Sequence, residues 1–397
     1  MAIKQPKPET EVQNPKRKFA IAGIDGTFFI LVMVLLTFGL IMLFSASYPN
    51  AKHYQDNSFF YIGKQLIYAV LGLVAMAVLS FVNYKILKIL AVPFFIGSLI
   101  LLILVLVLPS ADDMKRWIYV GGMQFQPSEF MKLGVILMFA LLIERFASNE
   151  NLSVYTLGRM RQYSSRMKMF RYGVLPFAVV IAVVCVLMIL EPHLSGTILI
   201  FTIGVVMMIV GGTKARWFFI IGGVGAAGGL GVVVTKFEYM QERLVGWFHP
   251  FSDPRDKTMQ IMQSLLTIGS GGLFGRGLGQ SYQKFMYLPE PQNDFIFAVV
   301  CEELGLVGAA MVIILFVLFI WRGFTIAVKA PDRFGMMVAV GIIAQIGLQA
   351  LLNIAVVTNT VPNTGISLPF FSSGGTALFM TLAQMGIILN ISRKQRA

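Results

Sequence analysis

The chain has 397 residues, of which 57% are hydrophobic and 13% charged, and it carries a formal net charge of +13. A water-soluble domain of that size and balance would expose large apolar patches, so the composition excludes one and makes lipid the solvent for most of the chain. The positive charge then belongs to loops facing anionic lipid, and nucleic acid is not an expected partner.

In a bilayer core no water bonds to backbone groups, which leaves helices or closed barrels, and the apolar runs here are too long and unbroken for barrel strands. The expected fold is therefore an all-α polytopic membrane protein. A basic, Pro-containing tail over 1–26 lacks the apolar core of a secretory signal, so the first span is expected to act as its own signal. Apolar runs of about 17–25 residues predict about ten transmembrane helices over 27–47, 62–82, 86–108, 128–146, 173–190, 195–211, 216–235, 295–320, 335–357 and 367–391. With the loop 236–293 they form one membrane domain over 27–391, followed by a short tail over 392–397. Basic residues orient the bundle: Lys16, Arg17, Lys18, Lys85, Lys88, Arg161, Lys168, Arg322 and Arg393 all fall on one side when the N- and C-termini are cytoplasmic. The opposite side then receives the chain over 48–61, 109–127, 191–194 and 358–366. It also receives a large extracytoplasmic loop, 236–293, between the seventh and eighth spans.

In chain order, the first chemistry-bearing pair is Arg116-Trp117 in an outer loop, where an interfacial anchor is the plain alternative. Next, Gln126-Pro127-Ser128-Glu129-Phe130-Met131-Lys132 places Glu129 and Lys132 three residues apart on one helical face. Ionisable groups at membrane depth are costly, which favours a functional path over an ion pair that only orients the helix. Cys185 and Cys301 sit in or beside apolar runs and read as packing residues. The turn Glu191-Pro192-His193-Leu194-Ser195-Gly196-Thr197 puts an acid at the lip between two spans, as compatible with a plain turn as with a site.

Over 255–268, Met259, Met262, Leu265 and Leu266 at helical spacing predict an amphipathic helix lying in the interface. The glycine run from Gly269 to Gly279 satisfies neither GxGxxG nor a Walker pattern. A hinge and a backbone cradle for a lipid-linked pyrophosphate are both compatible with it. Tyr287-Leu288-Pro289-Glu290-Pro291-Gln292-Asn293-Asp294 then leads into an apolar run. Asp294 is thus a carboxylate at the mouth of a span, with Arg276, Lys284 and Glu290 near in sequence, fit for a general base or for a helix cap. Glu302 and Glu303 lie about two turns further in, where they can pair with a cation or line a polar cavity. His53, His193 and His249 have no metal-ligand spacing.

Taken in order, these stretches resemble one family, the SEDS proteins (FtsW, RodA and SpoVE), multi-spanning proteins of bacterial cell-wall synthesis. The matching residues are Arg116-Trp117, Gln126 to Glu129 with Lys132, Glu191-Pro192, Gln263-Ser264-Leu265 with the glycines, Tyr287 to Glu290, Asp294 to Phe297, Glu302 to Gly305, and Leu368-Pro369-Phe370. They cover nearly the whole chain. The resemblance implies the SEDS fold and a peptidoglycan glycosyltransferase that polymerises lipid II on the outer face of the cytoplasmic membrane. In that chemistry an acceptor hydroxyl attacks the anomeric carbon and undecaprenyl pyrophosphate leaves, which needs a base and a cationic clamp.

Carried over residue by residue, the catalytic aspartate is Asp294, while Arg116, Lys132, Glu129 and Lys284 are candidates for binding substrate and pyrophosphate. Trp117, Gln126, Ser128, Glu191, Glu290 and Glu302 are candidates for support. A divalent cation, Mg or Mn, assisting the leaving group is compatible with this chemistry. The implied partners are lipid II, a class B penicillin-binding transpeptidase and divisome proteins.

Two departures stand out. The family's Glu-Pro-Asp-Leu-Gly-Thr becomes the longer Glu191-Pro192-His193-Leu194-Ser195-Gly196-Thr197, and its Ser-Tyr-Gly-Gly reads Ser372-Ser373-Gly374-Gly375. Asn353 to Thr358 and Asn390 to Arg393 look more like the FtsW and SpoVE branch than RodA, so FtsW-like septal synthesis is the expectation, with elongation and sporulation as its alternatives. A lipid II flippase and a non-catalytic transpeptidase scaffold are the rival functions.

Overall fold

The computed structural model describes residues 23–108, 116–120, 123–148, 155–156, 159–160, 173–191, 193–213, 217, 238–252, 258–285 and 287–394. The expected span over 216–235 apart from Trp217, the basic stretch 161–172, residues 1–22 of the N-terminal tail and 395–397 of the C-terminal tail fall outside them. The helices are α1 (Gly26–Gln55), α2 (Phe60–Phe81), α3 (Ile86–Val107), α4 (Pro127–Ser148), α5 (Leu175–Leu190), α6 (Leu194–Val210), α7 (Glu238–Phe248), α8 (Met259–Gly271), α9 (Ile296–Val328), α10 (Arg333–Val357) and α11 (Gly375–Lys394). A small hairpin, β1 (Ile118–Val120) with β2 (Met123–Phe125), pairs Ile118 with Phe125 just before α4.

Six of these helices, α1, α2, α3, α9, α10 and α11, are long and apolar enough to cross a membrane. Together they make a multi-pass bundle in which α10 and α11 are largely enclosed, while α2 and α3 turn apolar side chains outward to where lipid would lie. Helices α5 and α6 are apolar but only 16 and 17 residues long. At 1.5 Å per residue they reach about 25 Å, short of the roughly 30 Å of a hydrocarbon core.

Polar side chains tie the helices at both ends of the bundle. At one end Asp25 caps α1 and takes two bonds from Arg322 at 3.0 and 2.6 Å, while its own N–H donates to Ser392 Oγ at 3.1 Å. The start of α1 and the end of α11 therefore share one end. Asn390 bonds the carbonyls of Ser80 and Val82, and Tyr84 bonds Asp332, at the same end. The opposite end carries the hairpin, α7, α8 and the α10–α11 connection, and it is where the candidate site lies.

Three expectations change. Helix α11 begins at Gly375 rather than near 367, because Pro369, Phe370 with φ 68° and the Gly374-Gly375 pair keep the preceding segment non-helical. The amphipathic segment forms α8, but Ser264 and Thr267 are fully buried and the helix packs against α9. The glycine run is neither hinge nor open cradle over its central part. A Cβ at Gly271 would collide with the Cys301 carbonyl, and one at Gly275 with the Glu303 carbonyl. Gly305, with φ 67° inside α9, accepts the same strand of backbone from the other side.

Candidate active site

Asp294 occupies the last turn before α9, and the chain around it is clamped from three elements. Asn353 of α10 donates to the Asp294 carbonyl at 2.7 Å and to the Ile366 carbonyl at 2.6 Å. Ser372 Oγ donates to the Asn293 carbonyl at 2.6 Å, and Asn50 of α1 bonds Gln292 at 3.0 Å. Glu290, in a left-handed conformation, accepts from both Gln292 and Asn293 at 2.9 Å. The carboxylate itself faces the 363–365 turn: a Cβ on Gly365 would stand 3.2 Å from Asp294 Oδ2.

Burial pushes the Asp294 carboxyl up from 3.8 to about 6, with Glu290 adding to the rise and Arg243 and Arg116 opposing it. Arg243 comes from α7 and donates to the Asn363 carbonyl at 2.6 Å, which places it against the same turn.

Lys132 of α4 is buried. Its ammonium meets Glu129 at 2.7 Å and Gln349 Oε1 of α10 at 3.3 Å, and Gln349 in turn donates to the Ser367 carbonyl at 3.0 Å. The pair Glu129–Lys132 is thus an intrahelical ion pair at the start of α4, with a second hold on α10. Arg116 lies just before β1 and acts electrostatically on Asp294, Glu191 and His193, while Lys132 acts on His193. The walls of the site are therefore the β1–β2 hairpin, the start of α4, the α5–α6 turn, α7, the chain entering α9 and the 363–367 turn.

Lys284 and Glu302 are brought elsewhere. Lys284 points into the protein and gives its three protons to Glu303 at 2.7 Å, Gly279 O at 2.8 Å and Ser45 Oγ at 3.1 Å. All three protons of this ammonium thus go to protein groups, where the expectation for Lys284 was a place in binding substrate and pyrophosphate. Glu302 is fully buried and accepts from Ser281 Oγ and from Tyr282 N at 3.0 Å. Trp117 opens the hairpin partly buried, Gln126 supplies its carbonyl to Glu129 N at 3.2 Å, and Ser128 is buried beside Glu129. Among the described residues no three His, Cys, Asp or Glu side chains group to hold a metal ion. An Mg or Mn ion would rest chiefly on substrate phosphates.

The comparisons decide the family. The model of the "Cell cycle protein" family of FtsW, RodA and SpoVE matches residues 26–397. The chain belongs to the FtsW/RodA/SpoVE family. It is 40% identical over 372 residues to "Stage V sporulation protein E" of Bacillus subtilis, covering 92% of this chain and 96% of that one. It is 35% identical over 379 residues to "Probable peptidoglycan glycosyltransferase FtsW" of a Geobacter species, covering 95% and 98%. Among solved structures, the chain is similar to one from a study of a peptidoglycan synthase complex that coordinates polymerization and crosslinking. There the TM-score is 0.75 at 25% identity, with 94% of this chain and 99% of that one covered. It also resembles the rod shape determining protein RodA of Thermus thermophilus, with TM-score 0.65, 26% identity and 95% and 99% coverage.

Within this SEDS chain, Arg243, Gln349 and Asn353 are site residues that the sequence reading did not single out. Gln345, Gln349 and Asn353 recur every four residues in an otherwise apolar helix. That polar stripe is the signal that marks α10 as a wall of the site.

Proposed function

We propose that this SEDS protein is a peptidoglycan glycosyltransferase that polymerises lipid II, with Asp294 as base and Lys132 with Arg116 as the clamp on the leaving pyrophosphate. The end of the bundle that carries the site faces outward, and both termini lie in the cytoplasm, where the basic segments favour them. Helices α4, α5 and α6 add three crossings to the six long helices, and the tenth expected crossing, over 216–235, lies outside the described residues apart from Trp217. The oxygen of an acceptor sugar hydroxyl attacks the donor's anomeric carbon, and its proton passes to Asp294. The bond from that carbon to the pyrophosphate oxygen breaks, and its electron pair leaves with undecaprenyl pyrophosphate.

The observation that carries this reading is the attachment of both Asp294 and Lys132 to consecutive turns of α10, through Asn353 and Gln349. One rigid helix thereby sets the distance between base and cation, which positional catalysis requires. A carboxyl at about 6 is mostly ionised at neutral pH yet basic enough to take a proton. Glu129 holds Lys132 in place and transfers no proton.

The activated lipid donor needs no ATP outside the cell, and the gathering of site charges at one end favours polymerisation over flipping. The partner is a class B transpeptidase, in keeping with the synthase complex that shares the fold. We assign the protein to septal synthesis, and a tagged copy placed at the septum, rather than at the spore or side wall, is the expected result.

The test is purified protein with its transpeptidase and labelled lipid II. Asp294→Asn is expected to abolish polymer while partner binding persists. Polymer of unchanged length and yield would remove Asp294 as the base.

A further inference from the structure

The α5–α6 turn holds two buried polar atoms that the reaction above does not use. Glu191 is 1% exposed and its Oε1 has no hydrogen-bond partner, and the Nδ1 atom of the half-buried His193 is enclosed and unpartnered. A buried polar group left unbonded is destabilising, and a bound hydroxyl able to donate and accept would satisfy both. Both lie within electrostatic reach of Arg116, and His193 also of Lys132, the two cations assigned to the pyrophosphate.

The position of the histidine depends on Gly196. A Cβ on Gly196 would stand 2.8 Å from His193 Cε1 and 2.9 Å from Nδ1, so the imidazole folds back over α6 only because a glycine lies beneath it. Burial keeps both groups uncharged at neutral pH: the Glu191 carboxyl is pushed up to about 8, and the His193 ring is pulled down to about 3 with Arg116 and Lys132 assisting. An uncharged acid and an uncharged imidazole in one turn suit a neutral group that both donates and accepts, rather than an anion.

We propose that Glu191 and His193 form a subsite that hydrogen-bonds a hydroxyl of the sugar adjoining the pyrophosphate and so orients the donor. This rests on the polymerase reading above.

The test measures polymerisation rate against lipid II concentration for the full chain with its transpeptidase. Glu191→Gln, which keeps a neutral donor and acceptor, should stay within about twofold of the unaltered protein. Glu191→Leu should raise KM about tenfold, the change that 1.4 kcal/mol represents, with a smaller effect on kcat. His193→Asn against His193→Leu gives the same comparison if the first leucine variant does not fold. Unchanged KM in a folded leucine variant would overturn the subsite, because a structural water would then suffice, and so would equal damage from glutamine and leucine. An unaltered protein that makes no polymer would instead overturn the function and not this pairing.

Discussion

Gln349 and Asn353 stand one turn apart on α10 and hold opposite walls of the site, the first bonded to the Lys132 ammonium and the second to the Asp294 carbonyl. Asn353 is fully enclosed and supplies donors to two carbonyls, those of Asp294 and Ile366. Asn353→Ala would leave both acceptors buried without a partner, at about 1–3 kcal/mol each. The expected result is a lower melting temperature and at least a tenfold loss of polymerisation under conditions where the variant is folded. Activity equal to the unaltered protein would show that Asp294 keeps its place without α10.

The acid limb of the reaction follows from Asp294. The base must be ionised, and with its carboxyl near 6 the rate should fall about tenfold per unit as pH drops below that value. Glu290 raises this value and Arg243 lowers it. Glu290→Gln should therefore move the limb to lower pH, and Arg243→Gln to higher pH. The sign for stability is the reverse of the usual carboxylate. A folded value raised above 3.8 means that the stability this group contributes is fully present below 3.8 and is lost as pH rises through about 6. Asp294→Asn should consequently melt higher than the unaltered protein at neutral pH while making no polymer. A melting point that falls would contradict a carboxylate held ionised against its surroundings.

Much of this was legible in the sequence because lipid imposes simple rules. Apolar runs had to be helices, and ionisable residues such as Glu129, Lys132 and Asp294 at the mouths of those runs had to be there for a reason. Asn353 and Gln349 escaped notice because a single amide within an apolar run resembles packing, and only their repeat every four residues separates them from it. The partners of Lys284 were not legible, because closeness in sequence to Asp294 says nothing about which way the chain turns. The loop folds back so that its ammonium meets Glu303 and Ser45 instead. Arg243 reaches the site across 51 positions of chain from Asp294, through a contact with the 363–365 turn that no local pattern records.

The glycines give a prediction that separates packing from a substrate cradle. Gly269 lies in α8 with nothing within 4 Å of the place a methyl group would take, whereas Gly271, two residues on, abuts the Cys301 carbonyl. Gly269→Ala should be neutral or stabilise by about 0.5–1 kcal/mol, as a glycine-to-alanine change within a helix does. Gly271→Ala and Gly305→Ala should each lower the melting temperature, since one forces α8 off α9 and the other demands φ 67° of an alanine. Were the run a hinge or a pyrophosphate cradle, Gly269→Ala would reduce polymerisation without changing stability.

Lys284 and Glu303 supply the last test, because a buried ion pair and a substrate-binding lysine respond differently to replacement of both partners. The pair is enclosed, with Lys284 2% exposed and Glu303 not at all, and Ser45 Oγ donates to Glu303 at 2.7 Å from α1. It therefore joins α1, the loop before α9 and α9 itself. Removing one charge leaves the other buried without compensation, so Lys284→Met or Glu303→Gln alone should destabilise by about 3–5 kcal/mol. Removing both takes away the two desolvation costs together, and Lys284→Met with Glu303→Leu should recover a large part of that loss. Polymerisation should follow stability across the series and return in the double variant. If Lys284 instead bound the pyrophosphate, the double variant would melt normally and still fail to polymerise, since no group would stand in for the missing cation.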